Sequence, residues 1–435
     1  MNPMDNSIKK YTLTRNSIGR LTKTLRKSSL LTKNIESARE IVDAVKRRGD
    51  VALIEYAEKF DNVVIKPIEL RVKASEIERA YSNVRKEEIK ALKNLKSRVQ
   101  RLDLDLLRKV QAVRLKEEGL SISLKISPLE SVGCYVPGGK ALYPTSLVMC
   151  ATPAKIAGVK RVVVCSPPLS NKEIAPVLLV AADICGVDEI YKVGGAQAIA
   201  ALAYGTETIK PVKKIVGPGS IYVEQAKVLV SNYVAIDLPA GPSEILIIAD
   251  ETANPRDVAR DLISQAEHGP DSISGLVSTS KELLEQVSKE VNSMVKDAPR
   301  RGLIEKSLSE NAFMLDCNDL QTAIEFANAF APEHLEILTE DAAEVAKEIE
   351  SSGVILLGPY TPVAASDYGL GTNHVLPTGG TATTYSGLSA LDFVKRIYVA
   401  KATKPSLRRL ASDMGVLAKS EGLANHYKAI EERLK

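Results

Sequence analysis

The 435-residue chain has no tryptophan, and aromatic residues make up only 4% of it. Its 58 basic and 54 acidic residues are scattered along the sequence and leave a formal net charge of +4. We find no arginine-rich arm and no aromatic residues interleaved with basic ones, the patterns that are typical of nucleic-acid binding. The sequence therefore predicts a protein without a nucleic-acid partner.

Cysteine is also scarce, with five residues: Cys134, Cys150, Cys165, Cys185 and Cys317. Their number is odd and no two form a CxxC pair, which favours reduced thiols over a disulfide framework. A buried, small apolar side chain is the usual role of such residues, although Cys134 or Cys150, near the glycine-rich YVPGGK, could be a catalytic thiol. No apolar run reaches the roughly 18 residues of a membrane span, and the first residues lack the apolar core of a signal peptide. We expect a cytoplasmic protein.

The N-terminal third of the sequence favours helices. Residues 1–35 are polar and basic and predict an arm with a short helix. Residues 36–60 carry apolar positions at helical spacing, with Gly49 dividing two helices, and residues 75–100 predict a further surface helix. At the other end, the last 50 residues predict helix almost throughout. The length suggests two to four domains.

Between these ends the texture of the sequence changes. Short β-branched runs alternate with small-residue helical stretches in two blocks, about 130–243 and 244–385, which predicts βαβ units and parallel sheets. Turns rich in glycine and proline follow the strands, where open α/β sheets bind ligands. Because no turn matches GxGxxG or the P-loop pattern, the turns indicate a ligand such as a phosphate without naming a cofactor. Ordinary tight turns are the alternative.

The four histidines all lie beside Gly, Pro, Asn or Glu rather than on an apolar face. His268 comes three residues after Gln265 in a helix predicted over 255–268, so the two side chains would share a face. They could form half of a metal site, or His268 could stabilise the helix dipole. In APEHLEI, Glu333 and His334 could act as base and proton shuttle. The alternative is a surface glutamate beside a partly buried histidine.

The other two histidines lie in the last 70 residues. Asp367 and His374 occupy a glycine-rich loop without apolar periodicity, where a core role is not expected. Glu421 and His426 do not share a face on an ideal helix, so they need a kink at Gly422 or separate contacts. Nitrogen and oxygen donors without thiolate suit Zn²⁺. The residues alone predict a metal-dependent enzyme with a carboxylate–imidazole base, and they leave hydrolysis and redox chemistry open.

Several long motifs, in order over about residues 35 to 430, resemble the histidinol dehydrogenase family. They are YVPGGKALYP, VGGAQAIAALAYGT, DLPAGPSEILIIAD, SQAEHGPDS, APEHLEI, SDYGLGTNHVLPT and EGLANH. With the resemblance, the expected fold is α/β, with two incomplete Rossmann-like parallel-sheet domains and helical N- and C-terminal segments. The expected parts are a helical arm (1–35), a zinc-carrying and catalytic α/β domain (36–129 plus 244–385), an NAD-contacting α/β domain (130–243) and a C-terminal helical segment (386–435).

The resemblance also implies a reaction and a set of site residues. The family oxidises L-histidinol to L-histidine in two steps through a bound aldehyde, using NAD⁺ and one Zn²⁺ per subunit, at the end of histidine biosynthesis. It is a homodimer whose C-terminal segment completes the active site of the other subunit. The implied zinc ligands are Gln265, His268, Asp367 and His426, and the implied catalytic pair is Glu333 and His334. The implied histidinol-binding residues are Ser243, Glu421, His334 and the zinc ligands.

Three positions match the family's NAD contacts. Two of them, Tyr135 and Gln197, carry the usual residue, whereas Ser220 replaces the usual asparagine of a GPGN turn. Serine keeps a hydroxyl donor and acceptor but has a shorter reach than an amide. His374 matches a common histidine of the family without an assigned role. The residues themselves also fit a zinc hydrolase of a small amine or amide, which needs no nucleotide, or a metal-binding protein without catalysis.

Overall fold

The computed structural model of the chain describes residues 8–26, 35–111, 114–138, 142–238 and 241–435. The strands are β1 (Lys9–Leu13), β2 (Arg114–Glu117), β3 (Leu120–Pro128), β4 (Ser131–Tyr135), β5 (Arg161–Ser166), β6 (Glu189–Lys192), β7 (Lys214–Val216), β8 (Ala235–Ile236), β9 (Glu244–Ala249), β10 (Ile273–Ser278), β11 (Ala312–Cys317), β12 (His334–Leu338), β13 (Val354–Leu357) and β14 (Val394–Ala402).

The helices are α1 (Ile18–Leu25), α2 (Ile35–Arg48), α3 (Asp50–Asp61), α4 (Ala74–Tyr81), α5 (Lys86–Gln111), α6 (Pro144–Ile156), α7 (Pro176–Cys185), α8 (Gly195–Tyr204), α9 (Ile221–Val230), α10 (Pro255–Ala266), α11 (Lys281–Met294), α12 (Arg301–Asn311), α13 (Leu320–Phe330), α14 (Ala342–Lys347), α15 (Val363–Tyr368), α16 (Lys404–Ser420) and α17 (Ala424–Leu434). None of these described helices combines the length and hydropathy that a membrane crossing requires.

The chain forms two parallel sheets with the same strand order. One has five strands in the order β6-β5-β4-β7-β8, and the other has six in the order β1-β11-β10-β9-β12-β13. All neighbouring strands in both sheets are parallel. Apart from β1, each sheet follows the third-second-first-fourth-fifth order of a Rossmann fold that lacks its sixth strand. The predicted fold class is confirmed.

The strands of these sheets are apolar because helices cover both faces. Every residue of β9 and of β10 is buried, as expected for the interior of a parallel sheet. The helix after β9 begins as the sequence indicates, with the Asn254 side chain accepting a hydrogen bond from the Arg256 N–H and with Pro255 in the first turn. Local sequence therefore accounts well for the central elements.

The N-terminal helices pack differently from the expected domain division. Apolar side chains of α2 and α3 share a core with α8 and α9, and those of α5 share a core with α6 and α7. Residues 36–111 therefore cover the five-stranded sheet that residues 131–236 form. The apolar faces of these helices determine that they are buried but not on which sheet. The domain boundaries themselves stay a prediction.

Two strands lie where helix was expected. Within the predicted arm, β1 pairs in parallel with β11 at the edge of the six-stranded sheet. Near the C-terminus, β14 pairs antiparallel with β3 over nine residues, and β2 completes this small third sheet. Both pairings join segments distant in the sequence, so local patterns did not reveal them. Residues 1–7 and 27–34 of the predicted arm, and 139–141 of the YVPGGK turn, lie outside the described residues.

Candidate active site

A cleft of about 630 Å³ lies between the two parallel sheets. One wall is the glycine-rich turn 217–220, which follows β7 at the carboxyl edge of the five-stranded sheet. The opposite wall contains Ser243 and Glu333, which directly precede β9 and β12 at the amino edge of the six-stranded sheet, together with His268. The cleft therefore brings predicted residues of both sequence blocks together.

His334 is the first residue of β12 and is buried directly behind this wall. Its Nδ1 lies 3.1 Å from the carbonyl oxygen of Glu244 and 3.5 Å from Oε2 of Glu333. Because a carbonyl only accepts hydrogen bonds, Nδ1 carries a proton. In the neutral imidazole the lone pair is therefore on Nε2, which has no hydrogen-bond partner among the described residues. This tautomer can accept a proton from a substrate.

The surroundings of His334 control its charge. Burial lowers its pKa, but the carboxylates of Glu333 and Asp367 and the carbonyl of Glu244 outweigh burial and raise the pKa to about 9. The free imidazole therefore becomes the dominant form only above about that pH. Glu333 is also buried, and its Oε2 accepts a 2.8 Å hydrogen bond from the Glu244 N–H. The predicted catalytic pair is thus adjacent and ordered.

The two predicted ligands of SQAEHGPDS lie at the end of α10. Gln265 is 1% exposed, and neither atom of its side-chain amide has a hydrogen-bond partner among the described residues. The helix ends at Ala266, two residues before the end of the helix expected over 255–268. His268 lies in the following turn, exposed on the cleft wall, with its N–H donating to the Gln265 carbonyl at 3.2 Å.

Asp367 lies on α15, and a chain of polar side chains supports it. Its Oδ1 is 3.4 Å from Nδ1 of His374, whose Nε2 is 3.0 Å from the Ser146 hydroxyl. Burial raises the pKa of Asp367, but the imidazoles of His374, His334 and His268 more than compensate and lower it. Asp367 is therefore a carboxylate close to these histidines. His374, which had no assigned role, lies between Asp367 and Ser146.

The C-terminal candidates lie elsewhere. Glu421 follows α16, His426 is in α17, and both are exposed. Gly422 between them has a φ of 71°, which supplies the expected break between the helices. Across the part of the chain that the structure describes, no three His, Cys, Asp or Glu side chains are grouped so that they could hold a metal ion. A single chain therefore does not bring His426 to His268 and Asp367.

Two of the predicted NAD-contacting residues meet at the start of α8. Tyr135 ends β4, and its hydroxyl accepts a hydrogen bond from the Gly195 N–H at 3.1 Å. Gln197 is buried, and its Oε1 has no partner among the described residues. A Cβ on Gly195, which has a φ of 65°, would lie 2.5 Å from that oxygen. Glycine is thus required where these side chains converge.

The third predicted contact, Ser220, is on the turn 217–220. Hydrogen bonds to buried side chains fix the backbone of this turn. The Gly217 N–H donates to Asp237 at 2.7 Å, and Lys227 donates to the Gly217 carbonyl and pairs with Asp237 at 2.7 Å. Burial lowers the pKa of Lys227, but the carboxylates of Asp237 and Glu224 outweigh it and raise the pKa. Ser220 is exposed on the cleft and precedes α9, and its side chain makes no capping hydrogen bond.

The cysteines play the role expected for buried residues. All five are free and buried. Burial raises the pKa values of Cys134 and Cys150, so both remain thiols near neutral pH. Neither lines the cleft. The structure gives no support to the alternative of a catalytic thiol.

Sequence reasoning missed Glu244, whose backbone contacts both members of the catalytic pair. A signal was present, because Glu244 is the one charged residue in the otherwise apolar run EILIIA. It also missed the Lys227–Asp237 support of the turn 217–220 and the link from Ser146 through His374 to Asp367. For these, only the tertiary structure brings the partners together.

Comparisons with known proteins identify the family of this chain. The family model described as histidinol dehydrogenase matches residues 25–434. The histidinol dehydrogenase of Methanothermobacter thermautotrophicus is 44% identical over 396 residues, which cover 91% of this chain and 92% of that protein. That of Clostridium acetobutylicum is 45% identical over 401 residues, 92% of each. A crystal structure of histidinol dehydrogenase from Elizabethkingia anophelis superposes with a TM-score of 0.92 at 35% identity and covers 98% of both chains.

Proposed function

Because this chain belongs to the histidinol dehydrogenase family and has that activity, we propose that it oxidises L-histidinol to L-histidine in the cleft between its two parallel sheets. The oxidation proceeds in two steps through a bound aldehyde. The observation that carries this proposal is that Glu333, which adjoins the buried His334, lines the same cleft as the glycine-rich turn 217–220. A proton acceptor and a candidate nucleotide-binding turn thus share one space.

The donor set fits a zinc ion. The Gln265 amide is buried without partners, Asp367 is ionised, and His268 lies on the cleft wall. Such nitrogen and oxygen donors suit Zn²⁺. We assign these three residues, with His426, as its ligands. Bound zinc would hold the imidazole and amine nitrogens of histidinol and so fix the orientation of the substrate.

The opposite wall fits NAD⁺. The turn 217–220 leads into α9, so backbone N–H groups and the helix dipole favour an anion there. The unpartnered Oε1 of Gln197 and the exposed hydroxyl of Ser220 offer polar contacts, and Tyr135 lies beside Gly195. We propose that these three residues contact the dinucleotide. Bound NAD⁺ would accept the hydride in each oxidation.

His334 and Glu333 each accept a proton in a different one of the two oxidation steps. In the alcohol oxidation, Nε2 of His334 accepts the hydroxyl proton, since the Glu244 carbonyl keeps the other ring nitrogen protonated. In the aldehyde oxidation, Glu333 takes a proton from water, which attacks the aldehyde carbon. Binding within the cleft between the sheets retains the reactive aldehyde between the two steps. Ser243, on the same wall, binds the substrate.

The remaining two substrate-binding residues require a second copy of the chain. Glu421 and His426 are exposed on the C-terminal helices, and the single chain does not group His426 with the other donors. We therefore propose a homodimer in which each C-terminal segment completes the site of the other subunit. The cytoplasmic location stays a prediction.

One assay tests this function. Purified protein with Zn²⁺ and NAD⁺ should form NADH only when L-histidinol is added, and two NADH should form per histidine. Absorbance of NADH and chromatography of the product provide the two quantities. The same protein dialysed against a chelator is the control and should regain activity when Zn²⁺ is returned. Absence of histidinol-dependent NADH from zinc-loaded, folded protein would contradict the proposal, and one NADH per turnover would remove the second step.

A further inference from the structure

We propose that Arg26 and Glu244 form a positioning pair that fixes the orientation of both catalytic side chains, Glu333 and His334. This inference rests on the roles proposed above for Glu333 and His334. Neither residue of the pair lines the cleft, and Arg26 belongs to the N-terminal segment rather than to either sheet. The pair acts through the backbone on which the catalytic side chains depend.

The backbone of Glu244 serves both catalytic residues. Its N–H donates to Oε2 of Glu333 at 2.8 Å, and its carbonyl accepts from Nδ1 of His334 at 3.1 Å. Glu244 is the first residue of β9, and His334 is the first residue of the adjacent strand β12. A small displacement at the start of β9 would therefore disturb the carboxylate and the imidazole together.

The side chain of Glu244 fixes this point of the strand. It is 1% exposed, and its carboxylate accepts from both terminal nitrogens of Arg26, at 3.0 and 3.3 Å. The Gly379 N–H donates to the same carboxylate at 3.0 Å. A bidentate arginine–carboxylate pair fixes orientation as well as distance. Each oxygen of the buried carboxylate is therefore held in a defined direction.

Arg26 also holds the segment that leads into the catalytic pair. It donates to the carbonyl oxygens of Phe330 and Ala331, and its guanidinium lies 4.1 Å from the centre of the Phe330 ring. Ala331 has a φ of 48°, a conformation that residues other than glycine rarely adopt. This strained position lies two residues before Glu333. Arg26 thus joins the approach to β12 with the start of β9.

A structural role alone does not require charges at this place. Burying a carboxylate and a guanidinium costs free energy that an apolar pair of similar volume would not, so a buried ion pair is weak support for stability. Directional hydrogen bonds are what the ion pair adds. The buried charges therefore favour a role of the Arg26–Glu244 pair in orienting the catalytic side chains over a role in packing.

The experiment compares Arg26→Met, Arg26→Lys and Glu244→Asp in the zinc-loaded enzyme. The matched control is Arg15→Met, which removes an exposed arginine–glutamate pair between the same N-terminal segment and Glu325. We expect Arg26→Met to lower kcat roughly 10- to 100-fold, the usual cost of losing an orienting partner. The KM values for histidinol and NAD⁺ and the zinc content should stay within about twofold, because the pair does not contact the proposed zinc ligands or the proposed NAD⁺ contacts. Arg26→Lys should recover part of kcat, since an ammonium can still pair with one oxygen.

The outcomes separate this proposal from the proposed function. Wild-type kcat in folded Arg26→Met would overturn it, as would a loss shared equally by Arg15→Met or a fall in zinc content that accounts for the loss. If Arg26→Met does not fold, Glu244→Asp decides, because it keeps the charge and shortens the side chain. Reduced kcat with unchanged KM and melting temperature then supports the pair, and wild-type kcat overturns it. Loss of histidinol-dependent NADH formation in the wild type contradicts the proposed function instead.

Discussion

The two parallel sheets have the same strand order but present opposite edges to the cleft. The five-stranded sheet contributes residues that follow its strands, among them Gly138 and the turn 217–220. The six-stranded sheet contributes residues that precede its strands, namely Ser243 and Glu333, with His334 buried behind them. With the proposed cofactor and substrate sites, the general rule that open α/β sheets bind ligands at their carboxyl edge holds for the first sheet only. Two sheets with the same strand order therefore present different edges to the cleft.

The carboxyl edge of the six-stranded sheet does not face the cleft and is lined by acidic residues. A cavity of about 290 Å³ lies there, and Asp257, Asp261 and Glu340 are among its lining residues. Burial raises the pKa of Asp261 to about 6 and that of the neighbouring Glu336 well above its usual value. Such an acidic edge disfavours a dinucleotide phosphate. At the corresponding edge of the other sheet, the glycine-rich turn before α9 favours one.

The largest expected effect concerns the amino edge. Replacing His334 by Asn should lower kcat by roughly 10²- to 10⁴-fold, because a general base is lost. The KM for NAD⁺ should change little, since the dinucleotide is assigned to the opposite edge. Steady-state kinetics at saturating zinc measure both values. A changed KM for NAD⁺ with nearly unchanged kcat would contradict this assignment, because it would place His334 in NAD⁺ binding rather than in proton transfer.

The pH dependence of the reaction should also arise at the amino edge, from the ionisation of His334. The pKa of His334 is raised to about 9, so the imidazole that accepts the alcohol proton is the minor form at neutral pH. The kcat/KM for histidinol should therefore rise roughly tenfold per pH unit above neutrality and level off above pH 9 or so. Saturation with NAD⁺ should vary far less over this range. A flat histidinol profile would contradict His334 as the base.

Removing a proposed zinc ligand should have the next largest effect. His268→Asn should weaken zinc binding by at least about tenfold and lower the rate in parallel. Metal analysis after dialysis against a chelator gives the zinc content, and NADH formation gives the rate. The exposed Arg15→Met variant serves as the control for handling. Full zinc stoichiometry in the His268 variant would argue against its role as a ligand.

Mixed dimers test whether the amino edge is completed by another subunit. His426→Ala and His334→Ala protomers should each be nearly inactive alone. After exchange in equal amounts, half of the dimers carry one variant of each kind and one intact site, so about a quarter of wild-type activity should return. Activity after verified exchange measures this. If none returns, each chain uses its own His426.

The smallest expected effect lies at the carboxyl edge of the five-stranded sheet. Ser220→Asn should lower the KM for NAD⁺ by roughly two- to tenfold, the value of one added hydrogen bond. The kcat and the KM for histidinol should stay unchanged, because Ser220 is on the opposite wall from Ser243 and Glu333. Initial rates at varied NAD⁺ test this. An effect on histidinol binding alone would contradict the assignment.

Local patterns predicted a large part of this molecule. The alternation of β-branched runs and helical stretches predicted both parallel sheets, and Asn254 with Pro255 predicted the start of α10. The apolar neighbours of Cys165 and Cys185 predicted buried thiols. Pairing each histidine with a nearby donor found Glu333 beside His334 and Gln265 before His268. These features depend on a few neighbouring residues, so their signals are local in the sequence.

The sequence by itself therefore determined the fold class, because periodicity and caps act over a few residues, and its resemblance to a known family supplied the roles of the candidate residues. The tertiary structure decided which edges face the cleft, which sheet the helices of residues 36–111 cover, and where β1 and β14 pair. It also brought Arg26 to Glu244 across 218 residues. Such contacts depend on how complete elements pack, and no local pattern records that.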